Sequence, residues 1–148
     1  MRNGIRIGID VGRSRVGVAR SDPQGLMAVP VVTLARDEAM MELLSLAREY
    51  DALEFVCGLP IGLDGMDTAS TADARTFARQ LRDESAVPVR LVDERLTTVS
   101  AQSALHDASH TVKSGRAMID QVAATVLLET ALAAERAGNT LGEMVEDS

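Results

Sequence analysis

The chain is poor in the side chains that most often announce a function. It has no Trp, one Tyr and two Phe: Tyr50, Phe55 and Phe77. A binding face of bases stacked on aromatic rings is therefore not expected, and the core must come from Val, Ile, Leu, Ala and Met. A single cysteine, Cys57, excludes an internal disulfide and a thiolate zinc cluster. Two histidines, His106 and His110, are too few for most histidine metal sites, and nothing near them in sequence orients either as a base. Both read as surface residues. No apolar run approaches the roughly 18 residues of a membrane span. After Met-Arg-Asn-Gly the pattern turns strand-like at once. No secretion signal is visible there, so the cytoplasm is the expected compartment.

What remains is an ordinary folded composition. The 148 residues are 46% hydrophobic and 25% charged, the size of one domain. The net charge of −7 is uneven. Residues 1–36 carry +4, residues 37–128 carry −7, and residues 129–148 carry −4. An acidic total works against nonspecific nucleic-acid binding. A local basic patch near the first hairpin is still compatible with it.

No repeats or low-complexity segments interrupt the chain. Ile5, Ile7, Ile9 and Val11 alternate with Arg6, Gly8 and Asp10, the period of a half-buried strand. Gly12-Arg13-Ser14 reads as a turn and residues 15–19 as the returning strand. Residues 27–33 read as a third strand, placed at an edge by Pro30. Residues 37–50 read as a helix. Residues 54–57 form a short buried strand ended by Gly58-Leu59-Pro60. A helix capped by Ser70 and Asp73 follows, then a strand over 87–92. Thr97 or Thr98 is expected to cap a helix through Ala101, Ala104 and Leu105. Residues 107–117 read as a polar loop. The longest apolar stripe, from Ile119 to Ala134, predicts the last helix. Residues 1–138 are the expected domain, and 139–148 an acidic tail that frays. The order implies an α/β fold whose mixed central sheet, antiparallel over its first three strands and parallel later, is flanked by helices.

Three acids fall at unusual places. Asp10 lies near the end of the first strand, on the face opposite Ile5, Ile7 and Ile9. Glu94 follows Leu91-Val92 at a later strand end. Asp120 falls in the first turn of the last predicted helix, beside Ala123 and Ala124. Each has a bland reading: a turn cap for Asp10, a surface pair with Arg95 for Glu94, a helix-dipole partner for Asp120. Together they gather where open α/β sheets bind ligands. Three such carboxylates would repel unless a cation neutralised them, which points to Mg²⁺ or Mn²⁺ on hard oxygen ligands.

Gly8-Ile9-Asp10-Val11-Gly12, Arg15-Val16-Gly17-Val18-Ala19 and Ser21-Asp22 resemble the opening signature of the YqgF (RuvX) family of RNase H-like nucleases. Gly58-Leu59-Pro60 with Asp64-Gly65 resembles its second motif, Asp93-Glu94-Arg95-Leu96-Thr97-Thr98 its third, and Ile119-Asp120-Gln121-Val122-Ala123-Ala124 its fourth. The resemblance spans residues 5–132. It implies an RNase H-like fold, a cytoplasmic protein tied to maturation of the 5′ end of pre-16S rRNA, and Asp10, Glu94 and Asp120 as the catalytic acidic triad. The sequence departs from the family in a less basic Lys113-Ser114-Gly115-Arg116 run and in Met66-Asp67-Thr68. Phosphodiester hydrolysis needs an activated water, charge stabilisation at phosphorus and help for the leaving oxygen, and two metal ions about 4 Å apart supply all three. Asp10 would bridge the ions, with Glu94 and Asp120 holding one each.

Arg13, Arg15, Arg95, Lys113 and Arg116 are the candidate contacts to a phosphate backbone; Arg13 and Arg15 also read as a solvated turn, and Arg95 as a charge that neutralises Glu94. Cys57 reads as a small apolar core side chain. The expected partner is structured RNA, with branched DNA as the rival. A resolvase cutting four-way DNA symmetrically should be a stable dimer, and no dimer face stands out, so a monomer or weak homodimer is expected. A noncatalytic RNA-binding or transcription regulator is a further alternative, which an intact acidic triad disfavours. An actin-like or sugar-kinase ATPase also opens with Gly-Ile-Asp-x-Gly but needs two lobes, and 148 residues supply one.

Overall fold

The computed structural model describes residues 1–97 and 112–146, with side chains of the second stretch described from residue 118. Three strands come first: β1 (Arg6–Val11), β2 (Arg15–Ser21) and β3 (Ala28–Ala35). Then follow α1 (Arg36–Glu49), β4 (Glu54–Leu59), α2 (Ala69–Ser85), β5 (Val89–Asp93), a 3₁₀ turn at Glu94–Leu96, α3 (Val112–Arg136) and β6 (Glu143–Met144). The strand order across the sheet is β3-β2-β1-β4-β5-β6. The first three strands pair antiparallel, β1 pairs β4 and β4 pairs β5 in parallel, and β6 returns antiparallel on β5. This is the expected mixed sheet, and the fold is RNase H-like. β3 is an edge strand, as Pro30 requires, and the register slips where Pro30 meets Ala19.

Helices cover both faces. Ile7, Ile9, Val16, Val18, Phe55, Cys57 and Leu91 pack with α1 and α2. Ala19, Val56 and Val92 pack with Ala124, Leu127, Leu128 and Leu132 of α3. The half-buried reading of β1 is thereby corrected. Arg6, on the face opposite Ile7, is 1% exposed, because α3 closes that face and its Glu135 pairs with the guanidinium. Gly8 is what lets α3 lie so close: a Cβ there would stand 2.9 Å from the Ala124 carbonyl and the Leu128 Cβ.

Several local expectations shift. α2 is capped by Thr68 and Thr71 in a reciprocal capping box, not by Ser70 and Asp73. Asp73 instead takes a bidentate bond from Arg36 and ties α2 to the start of α1. Gly58 does not end β4, which runs on to Leu59 in register with β5. The Thr97 hydroxyl closes the 3₁₀ turn by donating to the Glu94 carbonyl. Thr98, the helix through Ala101, Ala104 and Leu105, and both histidines lie outside the described residues. α3 begins at Val112, so residues 112–117 are helical rather than loop, and Asp120 stands in the third turn instead of the first. The acidic terminus does not simply fray: β6 pairs with β5 and Val145 enters the core. Among the described residues no helix is long and apolar enough to cross a membrane.

Candidate active site

The site grows out of the register of three strands. Asp10 is opposite Gly17 on β2. Ile9 pairs with Cys57 on β4, which sets Gly58 next along that strand beside Asp10. Side chains alternate between faces along a strand, so Asp10, Gly17 and Gly58 share the face covered by α3. The aspartate thus sits between two cross-strand glycines.

Each glycine admits another acid. β5 lies beyond β4, so Glu94, just past its end, must cross β4 to reach Asp10. It does so over Gly58: a Cβ on that glycine would stand 2.5 Å from Glu94 Oε1. From the other side α3 presses onto β2 at Gly17, where a Cβ would collide with the backbone carbonyl of Asp120 and lie 2.9 Å from its Cβ. These two bare positions are functional features that the sequence reading does not single out. Their signal is a glycine inside an otherwise β-branched strand, which marks a close approach.

The electrostatics follow from this crowding. Asp10 and Glu94 share a hydrogen bond. The Glu94 carboxyl is pushed up to about 9 by burial first and then by the bond to Asp10 and that residue's charge, so the pair holds a proton between them. Burial also raises Asp10, as does the nearby charge of Asp120, while the bond from Glu94 opposes them. Asp120 is steered by Arg15, whose Nε donates to Oδ2 at 2.7 Å. The three predicted acids are therefore linked: two in direct contact, the third within electrostatic reach and held by a cation. Among the described residues no group of three or more His, Cys, Asp or Glu side chains stands as a preformed metal cage.

The candidate cations divide. Arg15 faces Asp120. Arg95 pairs with Asp93 rather than Glu94, its Nη2 donating to Oδ2 at 2.6 Å and its backbone N–H to Oδ1 at 2.9 Å. That clasp holds the Asp93 carboxyl below its ordinary range. Arg13 is exposed on the β1–β2 turn, with Asp73 in its field. The side chains of Lys113 and Arg116 lie outside the described residues. Cys57 is buried in β4, and burial pushes its thiol far up, consistent with an inert core residue.

The family model described as "RuvX: Holliday junction resolvase" matches residues 4–134. The chain belongs to the RuvX family. Two relatives of this RuvX chain are similar over nearly their full length. A protein of Clavibacter michiganensis subsp. michiganensis named "Putative pre-16S rRNA nuclease" is 51% identical, covering 98% of this chain and 93% of the relative. A Nocardioides protein of the same name is 48% identical with complete coverage of both. Among solved structures, "Thermus thermophilus RuvC structure" has a TM-score of 0.61 at 15% identity, covering 94% of this chain and 99% of that one. The same fold recurs in "T. thermophilus RuvC in complex with Holliday junction substrate", with a TM-score of 0.61 at 13% identity, covering 95% of this chain and 99% of that one.

Proposed function

We propose that this RuvX-family chain is a cytoplasmic, metal-dependent nuclease that hydrolyses phosphodiester bonds at the 5′ end of pre-16S rRNA. The observation that carries the reading is the Asp10–Glu94 pair, brought together across β4 over Gly58. Burying two carboxyls against each other is costly. A fold that removes the β4 side chain between them favours a use for the pair over a packing accident. The relatives' names support the substrate.

The donor set fits a hard divalent cation. Asp10, Glu94 and Asp120 offer carboxylate oxygens only, and the bare positions at Gly58 and Gly17 are what let Glu94 and the start of Asp120's side chain come so close to the sheet. Mg²⁺ or Mn²⁺ held by these three would supply charge stabilisation at phosphorus and an activated water. The chain's own residues do the rest. To hold a cation, Asp10 and Glu94 would both have to be ionised, without the proton they share. Arg15 keeps Asp120 aimed from α3. Arg13, Arg15, Arg95, Lys113 and Arg116 are the proposed backbone contacts; Arg13 and Arg15 are both exposed beside the β1 end, and Arg15 is already paired with Asp120. Such contacts set the substrate's position and carry no base information. The protein acts as a monomer or weak homodimer.

A second reading rests on the family description: cleavage of four-way DNA. One experiment separates the two. Wild type and Asp10→Asn are assayed side by side on a 5′-extended 16S precursor and on a four-way DNA junction, with Mg²⁺ or Mn²⁺. The precursor should be cut by wild type and spared by Asp10→Asn at unchanged thermal stability. Cleavage of the precursor by both proteins at one rate removes the site assignment, and selective cutting of the junction replaces the substrate.

A further inference from the structure

The loop at residues 60–67, between β4 and α2, shows water what a folded chain usually hides. Leu63 at its tip is 94% exposed and Met66 is 65% exposed, and Leu96 on the neighbouring 3₁₀ turn is 58% exposed. The loop is firmly built. Ile61 bridges Asp67 as in a hairpin. The Gly62 N–H donates to the Met66 carbonyl at 2.9 Å, the Gly65 N–H to the Gly62 carbonyl at 2.8 Å, and the Met66 N–H to Asp64 Oδ1 at 3.0 Å. The Thr71 hydroxyl donates to the Pro60 carbonyl and ties the loop base to α2. Leu63 is therefore held out by structure.

The loop also borders the candidate site. It leaves β4 two residues after Gly58, the glycine that Glu94 crosses. Arg95 Nη1 lies 3.7 Å from the point a Cβ on Gly65 would occupy. A nucleic acid cut at Asp10 and Glu94 would lie against this rim.

We propose that Leu63, backed by Met66 and Leu96, is a wedge that enters between stacked bases of a paired RNA stem next to the scissile phosphate. This rests on the nuclease reading above and adds how the substrate is opened. Two observations and one general precedent select bases over other targets. Asp64 and Asp67 flank the tip, so the tip offers phosphates no cation of its own and leaves them to Arg95 at the loop's side. Phe55 and Phe77 are buried and Tyr50 lies under Arg20 at 5.4 Å, so base contacts in the described chain fall to aliphatic side chains. Unbranched or γ-branched apolar side chains such as Met and Leu are among those that unstack base steps in known nucleic-acid complexes.

The test uses Asp10→Asn, which binds without cutting, and a precursor stem carrying 2-aminopurine at successive positions around the cut. With the native loop, fluorescence rises at one step on binding. Leu63→Ser loses that rise and binds the paired stem roughly 10-fold more weakly, the scale of one Leu returned to water. Leu63→Met restores the rise. Leu26→Ser, at another exposed leucine, on the β2–β3 turn, changes nothing. No rise with the native loop, a rise that survives Leu63→Ser, or a paired-stem affinity unchanged by Leu63→Ser overturns the wedge. Cleavage by wild type is scored separately, so a failed wedge with intact cleavage leaves the nuclease standing.

Discussion

Glu94 crosses strand β4 over Gly58, its Oε1 2.5 Å from where a Cβ on that residue would stand. The contact decides whether Glu94 reaches Asp10 at all. Gly58→Ala should push the Glu94 carboxyl back by about an ångström. Misplacement of that order costs about 100-fold in rate, while overpacking costs roughly 1–3 kcal/mol of stability. Cleavage kinetics beside a melting curve check this: a large loss of kcat with a modest shift in Tm is expected. Native rates in Gly58→Ala would mean that the position of Glu94 is irrelevant to the chemistry.

The strand pattern, the edge role of β3 and the three acids are legible because each is local: period-2 alternation, a proline, a carboxylate at a strand end. The floor of the site is not. Gly17 and Gly58 have meaning only once β2, β1 and β4 are placed in register, and a glycine read alone suggests a turn or a strand end. The start of α3 is hidden for a related reason. Ser114-Gly115 weakens helix propensity locally, but a helix already nucleated by the apolar stripe beyond them propagates through at small cost per residue. The capping box escapes a sequence reading because Thr71, rather than the usual Glu or Gln, closes it.

The shared proton makes stability depend on pH. Unfolded, Glu94 ionises near its ordinary 4.5; folded, it holds its proton to about 9. Between those values the folded chain binds more protons than the unfolded one, so stability falls as pH rises. In EDTA the Tm should therefore decline from about pH 5 to pH 9, in line with that linkage. Glu94→Gln should flatten the decline, and Mg²⁺ should offset it at the alkaline end. A wild-type profile that rises across this window would show that the pair is not protonated as described.

Arg13 and Arg15 sit two residues apart on one turn but in different circumstances. Arg15 is engaged by Asp120 at 2.7 Å, whereas Arg13 is exposed with the field of Asp73 nearby. If Arg13 contacts a phosphate, Arg13→Ala should weaken RNA binding and reduce the slope of log K against log salt by about 1. Arg15→Ala should act on kcat as well, since it releases Asp120. Titrations at several salt concentrations distinguish the two, and an unchanged slope for Arg13→Ala would return that residue to the solvated surface.

The far end of the sheet holds a charge cluster with no part in this chemistry. At the amino ends of β1, β4 and β5, Glu54 is 1% exposed and accepts from Arg2 at 2.7 Å and from Arg90 at 2.5 Å. Arg6, also 1% exposed, is paired with Glu135 of α3 at 2.7 Å. Removing one partner from such a buried pair leaves the other uncompensated, at a cost of roughly 3–5 kcal/mol. Glu54→Ala should therefore lower Tm sharply, because Arg90 and Arg2 lose their shared acceptor inside the protein. Replacing the whole group with apolar residues of similar volume should cost much less, since no charge is left stranded. Because the cluster lies at the strand ends opposite Asp10, the rate per folded molecule should stay at the wild-type value in both variants. Melting curves with cleavage assays well below the new Tm separate the two effects. A rate loss in Glu54→Ala at a temperature where the protein is fully folded would show that strain passes along β4 from Glu54 to Gly58, and that the two ends of the sheet are not independent.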